Sequence, residues 1–597
     1  MAYTDNFPQR PVFSLDAANA GRLDPRMTFS RADTPPTYAA PSAVHYWSNE
    51  KHLSSENLLL DSKTGTANWA GGASGSAATA TVTANYAASP DGTANQATRV
   101  QLDLSGATDT SSNSRYSQSI DLPSGDSVTF SVWLKSTDGA SSYAIQVYRA
   151  DGLADAATVT GVWQKFTTTA TAAANAGFGI RIRGGQTPIN ADTADVLIWG
   201  ANVSTTGQTV LSATTTQIHR EYAPTLKSVA TAGQPRFEYD PSSDGQSVAK
   251  GILIEGAATN LNPHSDALGS WSASTNITLT DDAGVGPTGS LNADLMVGTS
   301  ATGGHSIKSA AITVASGSSY TFSGYFKSVG GEKVRLKFFR TSSPYTAEAD
   351  VRFTLSGSGA VNAVSGSGTI TSVGNGWYRC SATGTTLSTL SFLEVSTVSV
   401  SDETSYAGNS YNGVLCAGIQ YESGSFASSL VSTSGSAATR AAESLSVDLT
   451  QAGFNGGPFT IVSETEGGLG AYPRAYALTD GTSSERLAVY KSSANATAST
   501  NWHVNSVTGG TDTVLSSIPS SASAGKLAVS YDTNDVSFCA SGGTVTSDTS
   551  AVIPSGLDTL KIGALWNGAT NQLNGHVKRI AVYNEALSDT NLQALTS

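Results

Sequence analysis

Apolar and polar residues alternate with period two in short runs along most of the chain, and this leaves little choice of fold. SVTFSVWLKS (127–136), YAIQVYRA (143–150), GFGIRIRG (177–184), KVRLKFFR (333–340) and KLAVSYD (526–532) are examples, bounded by Gly, Ser, Asp or Asn. Successive side chains of a strand point to opposite faces, so such runs read as strands with one face buried. Helical periodicity is confined to SDTNLQAL (588–595), with Ser588 or Asp589 as its N-cap. Regular short strands with frequent turns predict an all-β protein built of sandwiches.

The strands are organised by a duplication. ENLLLDSKTGTANW (56–69) is similar to TNLNPHSDALGSW (259–271), SPDGTANQATRV (89–100) to GPTGSLNADLMV (286–297), and TFSVWLKS (129–136) to TFSGYFKS (321–328). GVWQKFT (161–167) then parallels NGWYRCS (375–381), and VLIWGANV (196–203) parallels VLCAGIQY (414–421), in the same order. Each copy is long enough to bury its own core. Two copies do not make a solenoid, which needs more repeats. Trp69 and Trp271 recur at matching positions, which suits a shared core role.

Both copies resemble the carbohydrate-binding, jelly-roll modules of bacteriophage virion proteins. LDPRMTFSRADTPPTY (23–38), RFEYDPSSDGQSVAKGILIEGAATNL (236–261) and SGSFASSLVSTSGSAATRAAESLSV (423–447) resemble the leader, pre-module and junction segments of phage tail and head-fibre proteins. The leader of such proteins runs almost directly into the second of these segments. Here the first module lies between them, which points to insertion or duplication within an ancestral unit. LKIGALWNGATNQLNGHVKRIAVYNEALSDTNLQAL (560–595) is similar to the closing strands and helix of laminin-G/concanavalin A-like domains, through Gly575, Val577, Ile580, Val582, Tyr583, Leu587, Ser588 and Leu592. Lys578 and Arg579 stand where that pattern has an acidic residue.

The organisation expected is a Pro-rich, extended N-terminal attachment arm (1–50), a first carbohydrate-binding-like β-sandwich (51–205) and a connector (206–256). A second such sandwich (257–432) and a laminin-G/concanavalin-like sandwich (433–597) follow. The resemblance implies a fibre or spike on a phage tail or capsid, at the virion surface after assembly in the host cytoplasm. It also implies other virion proteins as partners through the arm, and a homo-oligomer, with a trimer favoured. Head or tail decoration without sugar binding is the alternative.

Charge and chemistry narrow the function. Lys and Arg number 33 against 46 Asp and Glu, a net charge of −13, which argues against a nucleic-acid partner. No apolar run approaches the roughly 18 residues of a membrane span, so no membrane insertion is expected. MAYTDNFPQR (1–10) lacks the apolar core of a secretory signal. Three Cys cannot make a disulfide framework, although Cys380 and Cys416 fall in one module. GxSxG, HExxH and phosphate-loop motifs are absent and the seven His are scattered, so no enzyme is expected. The one depolymerase-like feature is SETEGG (463–468), with Glu464 and Glu466 two residues apart on a strand. No cofactor is called for. Asp-rich turns such as TDDAG (280–284) and NADTAD (190–195) are candidates for Ca²⁺.

A host-surface polysaccharide or other glycan is the partner that the side chains suit. If the strands of the first copy share a sheet, its non-core face presents Trp133, Gln146, Tyr148, Arg181 and Arg183. The second copy repeats the pattern with Tyr325, Lys327, Arg335, Lys337 and Phe339. Aromatic faces stack on sugar rings, and amides and guanidinium forks bind hydroxyl or anionic groups. Trp502, Trp566, Tyr472 and Asn567 are the corresponding candidates in the last domain. Packing against a neighbouring domain or subunit is the competing use of these faces.

Overall fold

A computed structural model describes the chain except for residues 1–9, 32–43, 60–63, 65, 91, 121, 123–126, 150–152, 172–175, 186–191, 206–218, 232, 243–247, 331–332, 411, 493–500 and 520–523. Nearly all its regular elements are antiparallel strands, arranged as three two-sheet sandwiches with separate hydrophobic cores. Among the described residues the one helix longer than four residues is Asp589–Thr596, with Ser588 at the N-cap. No helix among the described residues is long and apolar enough to cross a membrane. The chain divides into two compact units: residues 51–223 with 282–293, and the remainder.

The first sandwich has one sheet in the order Ala154–Val159, Tyr143–Tyr148, Ala176–Arg183, Asn113–Ile120, Ala70–Ser74. Its other sheet runs Gln164–Thr171, Ser127–Ser136, Thr193–Ser204, Ala97–Asp103, Ala78–Ala87. Phe130, Val132, Leu134, Ile145, Val147, Phe178, Ile180 and Ile182 fill the space between them, as their alternation requires.

The second sandwich repeats this topology. Ala347–Thr354, Lys333–Arg340, Leu390–Val398, His305–Lys308 and Ala273–Thr275 follow the five-strand order of the first sheet. Trp377–Thr385, Ser319–Val329, Gly413–Ser423 and Leu291–Gly298 follow four strands of the other. Among the described residues the second copy adds three strands to these sheets, Ala360–Ser365 and Ser367–Ser372 at the edges and Ile312–Thr313 beside Leu390–Val398. Trp69 and Trp271 are buried in their respective cores. Cys380, Cys416 and Cys539 are buried thiols, and no disulfide joins the first two.

The third sandwich is discontinuous, and here the fold departs from expectation. Phe13–Asp16 pairs with Gly575–Tyr583, and Met27–Arg31 pairs with Glu443–Asp448. Arg236–Asp240 and Val248–Ile254 join the same sheet as Gly575–Tyr583. Whereas His45–Asn57 pairs with His219–Ser228 in a separate sheet, Phe13–Asp16 and Met27–Arg31 of the expected arm, and part of the expected connector, are strands of the last domain. Their apolar residues explain why: Phe13, Leu15, Met27, Ile252 and Ile254 are buried in its core. Prolines had suggested an extended arm, but edge strands tolerate neighbouring proline. The chain therefore leaves this sandwich after Arg31 and returns at Arg236, then leaves after Glu255 and returns at Glu443. The two duplicated sandwiches are insertions in it.

A buried ionic cluster ties these crossing points together. The Arg236 Nε donates to Glu443 Oε1 at 2.8 Å, and its Nη2 donates to Glu255 Oε2 at 2.7 Å. Arg440 Nη1 lies 3.1 Å from Glu255 Oε2, and Arg31 Nη1 lies 3.5 Å from Glu443 Oε1. Ser429 donates to Glu255 from its backbone at 2.9 Å and from its hydroxyl at 2.6 Å. Burial alone would raise the Glu255 carboxyl, but the guanidinium groups of Arg440 and Arg236 hold it well below the usual carboxylate range. Arg31, Arg236, Glu255, Arg440 and Glu443 are charged residues drawn from all three phage-like segments. They meet at one point because that is where the chain enters and leaves its insertions.

Candidate functional site

The expected common face of the first sandwich is split by the structure. Trp133 lies on Ser127–Ser136, in the sheet opposite the one that carries Gln146, Tyr148, Arg181 and Arg183. Alternation shows which side of a strand leaves the core but not which sheet the strand joins. Trp133 stands across from Trp199 and clusters with Trp163, Leu197 and Ala97.

The other four do share an outer face, and the strand register shows its composition. One row across the sheet reads Ala154, Tyr148, Gly179, Ser117, Ala70. The next reads Ala156, Gln146, Arg181, Arg115, Gly72. Arg183, Asn113 and Ser74 follow. These rows hold three arginines and no carboxylate, on a bed of Ala, Gly and Ser. Arg115 was not among the sequence candidates. Its strand, NSRYSQSI, is polar on nearly every residue, which hides the alternation around Tyr116.

Each arginine is held by the protein through part of its guanidinium. Arg181 Nε donates to Gln146 Oε1 at 2.8 Å, Arg115 Nη1 donates to Asn113 Oδ1 at 3.0 Å, and Arg183 Nε donates to the Thr110 carbonyl. Tyr148 is buried rather than open for stacking, and the Arg181 guanidinium sits 5.2 Å above its ring centroid. Glycine is needed beside it, since a Cβ at Gly177 would come within 3.3 Å of the Tyr148 ring. Burial, with repulsion from Arg183 and Arg115, lowers the Arg181 pKa. The group remains charged at neutral pH, because guanidinium starts above 12. A guanidinium carries five N–H donors, so each fork keeps donors for an incoming anion.

The equivalent face of the second sandwich pairs part of its positive charge internally. One row reads Asp350, Lys337, Glu394, Lys308, and its neighbour reads Arg352, Arg335, Ser396, Ser306. Arg335 pairs with Asp350 and with Glu394, the latter at 3.3 Å. Lys337 Nζ lies 4.4 Å from the Phe339 ring centroid. Lys327 is on the other sheet and donates to Asn375 Oδ1 at 3.1 Å. Tyr325 is also on that other sheet and is only 3% exposed, enclosed by Trp47 and the Arg379 guanidinium, so it offers no sugar platform.

In the third sandwich, Trp502 is a core residue, 1% exposed, on which Lys491 rests. Trp566 is half-buried on the loop between Ile562 and Gly575, where Asn567 caps the turn through Ala569 and Thr570. Glu466 is bound by Lys578 at 2.9 Å and Lys250 at 3.2 Å. Burial would raise its carboxyl, yet these two lysines hold it down to about 2, which suits a structural anion rather than a general acid. Lys578 and Arg579, which replace the expected acidic residue, bind Glu466 and Asp16. Among the described residues no three His, Cys, Asp or Glu converge on a cation site, and NADTAD lies partly outside those residues.

No family model and no curated protein matches the chain. Solved structures overlap it loosely. Tandem CBM22 modules of Xyn10C from Paenibacillus barcinonensis share 12% identity at a TM-score of 0.18, covering 63% of this chain and all (100%) of theirs. Domains LG4-5 of the mouse laminin α1 chain share 7% at 0.17, covering 57% and 95%. A heptameric SAP-like pentraxin from Limulus polyphemus shares 12% at 0.18, covering 24% and 70%. Overlays this loose transfer no function.

Proposed function

We propose that the protein is a non-catalytic adhesion component of a virion surface, whose first sandwich binds an acidic polysaccharide of the host envelope. The observation that carries this reading is the trio Arg115, Arg181 and Arg183, held in place on one sheet face without a carboxylate among them. Side chains of the same sign are placed together at a cost that an anionic ligand repays. The flat, small-residue bed leaves room for an extended chain of sugars, and planar forks suit carboxylate or sulfate groups. The phage-like leader and junction segments support the virion setting. Attachment through other virion proteins and display as a homo-oligomer, with a trimer favoured, follow from the same resemblance. Several weak sites in one assembly would gain avidity of roughly 10²–10⁴-fold where geometry permits.

The clustered Trp133, Trp163 and Trp199 on the opposite face favour a second role in packing against a neighbouring subunit. Binding of the full chain to immobilised acidic and neutral polysaccharides tests the main reading. Capture by the acidic set alone is expected. Capture by neither set would overturn adhesion in favour of cementing, and new reducing ends on incubation would overturn the non-catalytic reading.

A further inference from the structure

The outer face of the third sandwich holds an arginine that breaks the rule followed by the other deeply buried ones. Arg31, Arg236 and Arg440 each lie against Glu443 or Glu255. Arg474 is 8% exposed, and no carboxylate lies within 4 Å of it among the described residues. Its Nε and Nη1 are buried without any hydrogen-bond partner. A guanidinium buried in this state costs several kcal/mol by the usual reckoning for an unpaired charge. Burial accordingly lowers its pKa to about 10, with Arg486 adding to the effect and Tyr490 and the Asp512 carboxylate, beyond contact distance, opposing it.

What surrounds Arg474 is aromatic. Arg474, Tyr490 and His503 stand opposite one another on three adjacent strands, Arg474–Thr479, Arg486–Ser492 and Asn501–Thr508. The guanidinium carbon lies 4.1 Å from the Tyr490 ring centroid, and Tyr490 stacks on His503 at 5.3 Å. Both ring nitrogens of His503 are buried and unpartnered. Tyr472 meets Tyr490 edge-on at 6.2 Å and is 46% exposed. Its φ of +52° puts a non-glycine residue in the left-handed region, a local strain that displays the ring to solvent.

We propose that this patch binds a carboxylate-bearing sugar residue, with Arg474 taking the carboxylate and the exposed Tyr472 receiving the ring, since Arg474 and His503 already cover the two faces of Tyr490. The charge calls for an anion and the exposed tyrosine calls for a flat, partly apolar ligand, which a uronic acid combines. This site rests on the glycan-binding reading but is separate from the arginine face of the first sandwich.

The test uses the full chain carrying Arg115→Ala and Arg181→Ala, so that the first site is silent, titrated with a glucuronate-containing oligosaccharide and its neutral counterpart. Preferential binding of the acidic oligosaccharide is expected, weakened at least tenfold by Arg474→Gln and severalfold by the exposed Tyr472→Ala. The thermal midpoint of Arg474→Gln should hold or rise, because an unpaired buried charge has been removed. Equal binding of acidic and neutral oligosaccharides, binding of neither, or unchanged affinity in Arg474→Gln would overturn the proposal. If the natural chain still binds acidic glycan in those cases, the site fails alone. If it does not, the adhesion reading fails with it.

Discussion

The two inserted sandwiches share a strand order and present cations on the same sheet, but they use them in opposite ways. In the second, Arg335 is taken up by Asp350 and Glu394, and Lys308 and Lys337 share the row with these acids. In the first, the hydrogen-bond partners of Arg115, Arg181 and Arg183 among the described residues are Asn113, Gln146 and a backbone carbonyl, none of them acidic. A duplicated fold has kept its core and changed the charge balance of one face. The topology supplies a flat outer sheet, and on the proposed reading the presence or absence of carboxylates decides whether that sheet binds anions or itself. The ionic cluster at the insertion points belongs with the second sandwich in this respect, since its three arginines are matched to Glu255 and Glu443.

The largest expected effect comes from breaking a matched set. Glu443→Gln leaves Arg236 and Arg31 short of their buried partner, and chemical denaturation should show a loss of about 3–5 kcal/mol. A loss under about 1 kcal/mol would mean the cluster is not a buried charge network. On the unmatched face, Arg115→Ala with Arg181→Ala should cost about 100-fold in affinity for an acidic polysaccharide. Two charge-assisted contacts of about 1.5 kcal/mol each account for this. Stability should change little, because neither arginine has an acidic partner to orphan.

The converse change converts one sandwich toward the other. Asp350→Asn with Glu394→Gln frees Arg335 on the second sandwich, and acidic polysaccharide binding should rise severalfold while stability falls by about 1–2 kcal/mol. No gain in binding would show that charge balance is not what separates the two faces.

The smallest effect is in pH dependence. Glu255 has a depressed folded-state pKa, so its contribution is complete above the ordinary value of 4.5 and is lost as pH falls below it. Glu422, buried with only Ser428 and Gln420 as partners, is shifted upward by burial. Its protonated form is favoured on folding, so it weakens the fold as pH rises above 4.5. Denaturation curves should therefore show Glu255→Gln costing nearly as much at pH 4 as at pH 7 and less at pH 2, and Glu422→Gln nearly neutral or stabilising at pH 7.

Much of the fold was legible because alternation is a local property. Val132, Ile145, Ile180 and Leu336 are buried as their positions in each run demand. The duplication was legible from order alone. The assembly of the third sandwich was not: Phe13 and Leu15 pair with Val582 and Ile580, more than 560 residues away, and no local pattern records a partner at that distance. The site was half legible for the same reason. Arg181 and Arg183 could be assigned to an outer face, but Trp133 was placed on the wrong sheet, and Tyr325 and Trp502 are covered by elements distant in sequence. Arg115 and Arg474 become visible only through register and through the absence of a partner.

Salt dependence of binding tests the central claim most directly. The affinity of the full chain for an acidic polysaccharide should fall at least tenfold between 50 mM and 200 mM salt, since ionic contacts on an exposed face are screened at about 10 Å in 0.1 M salt. The dependence should be markedly shallower after Arg115→Ala and Arg181→Ala. Affinity that is indifferent to salt, or a salt dependence unchanged by those substitutions, would contradict the account.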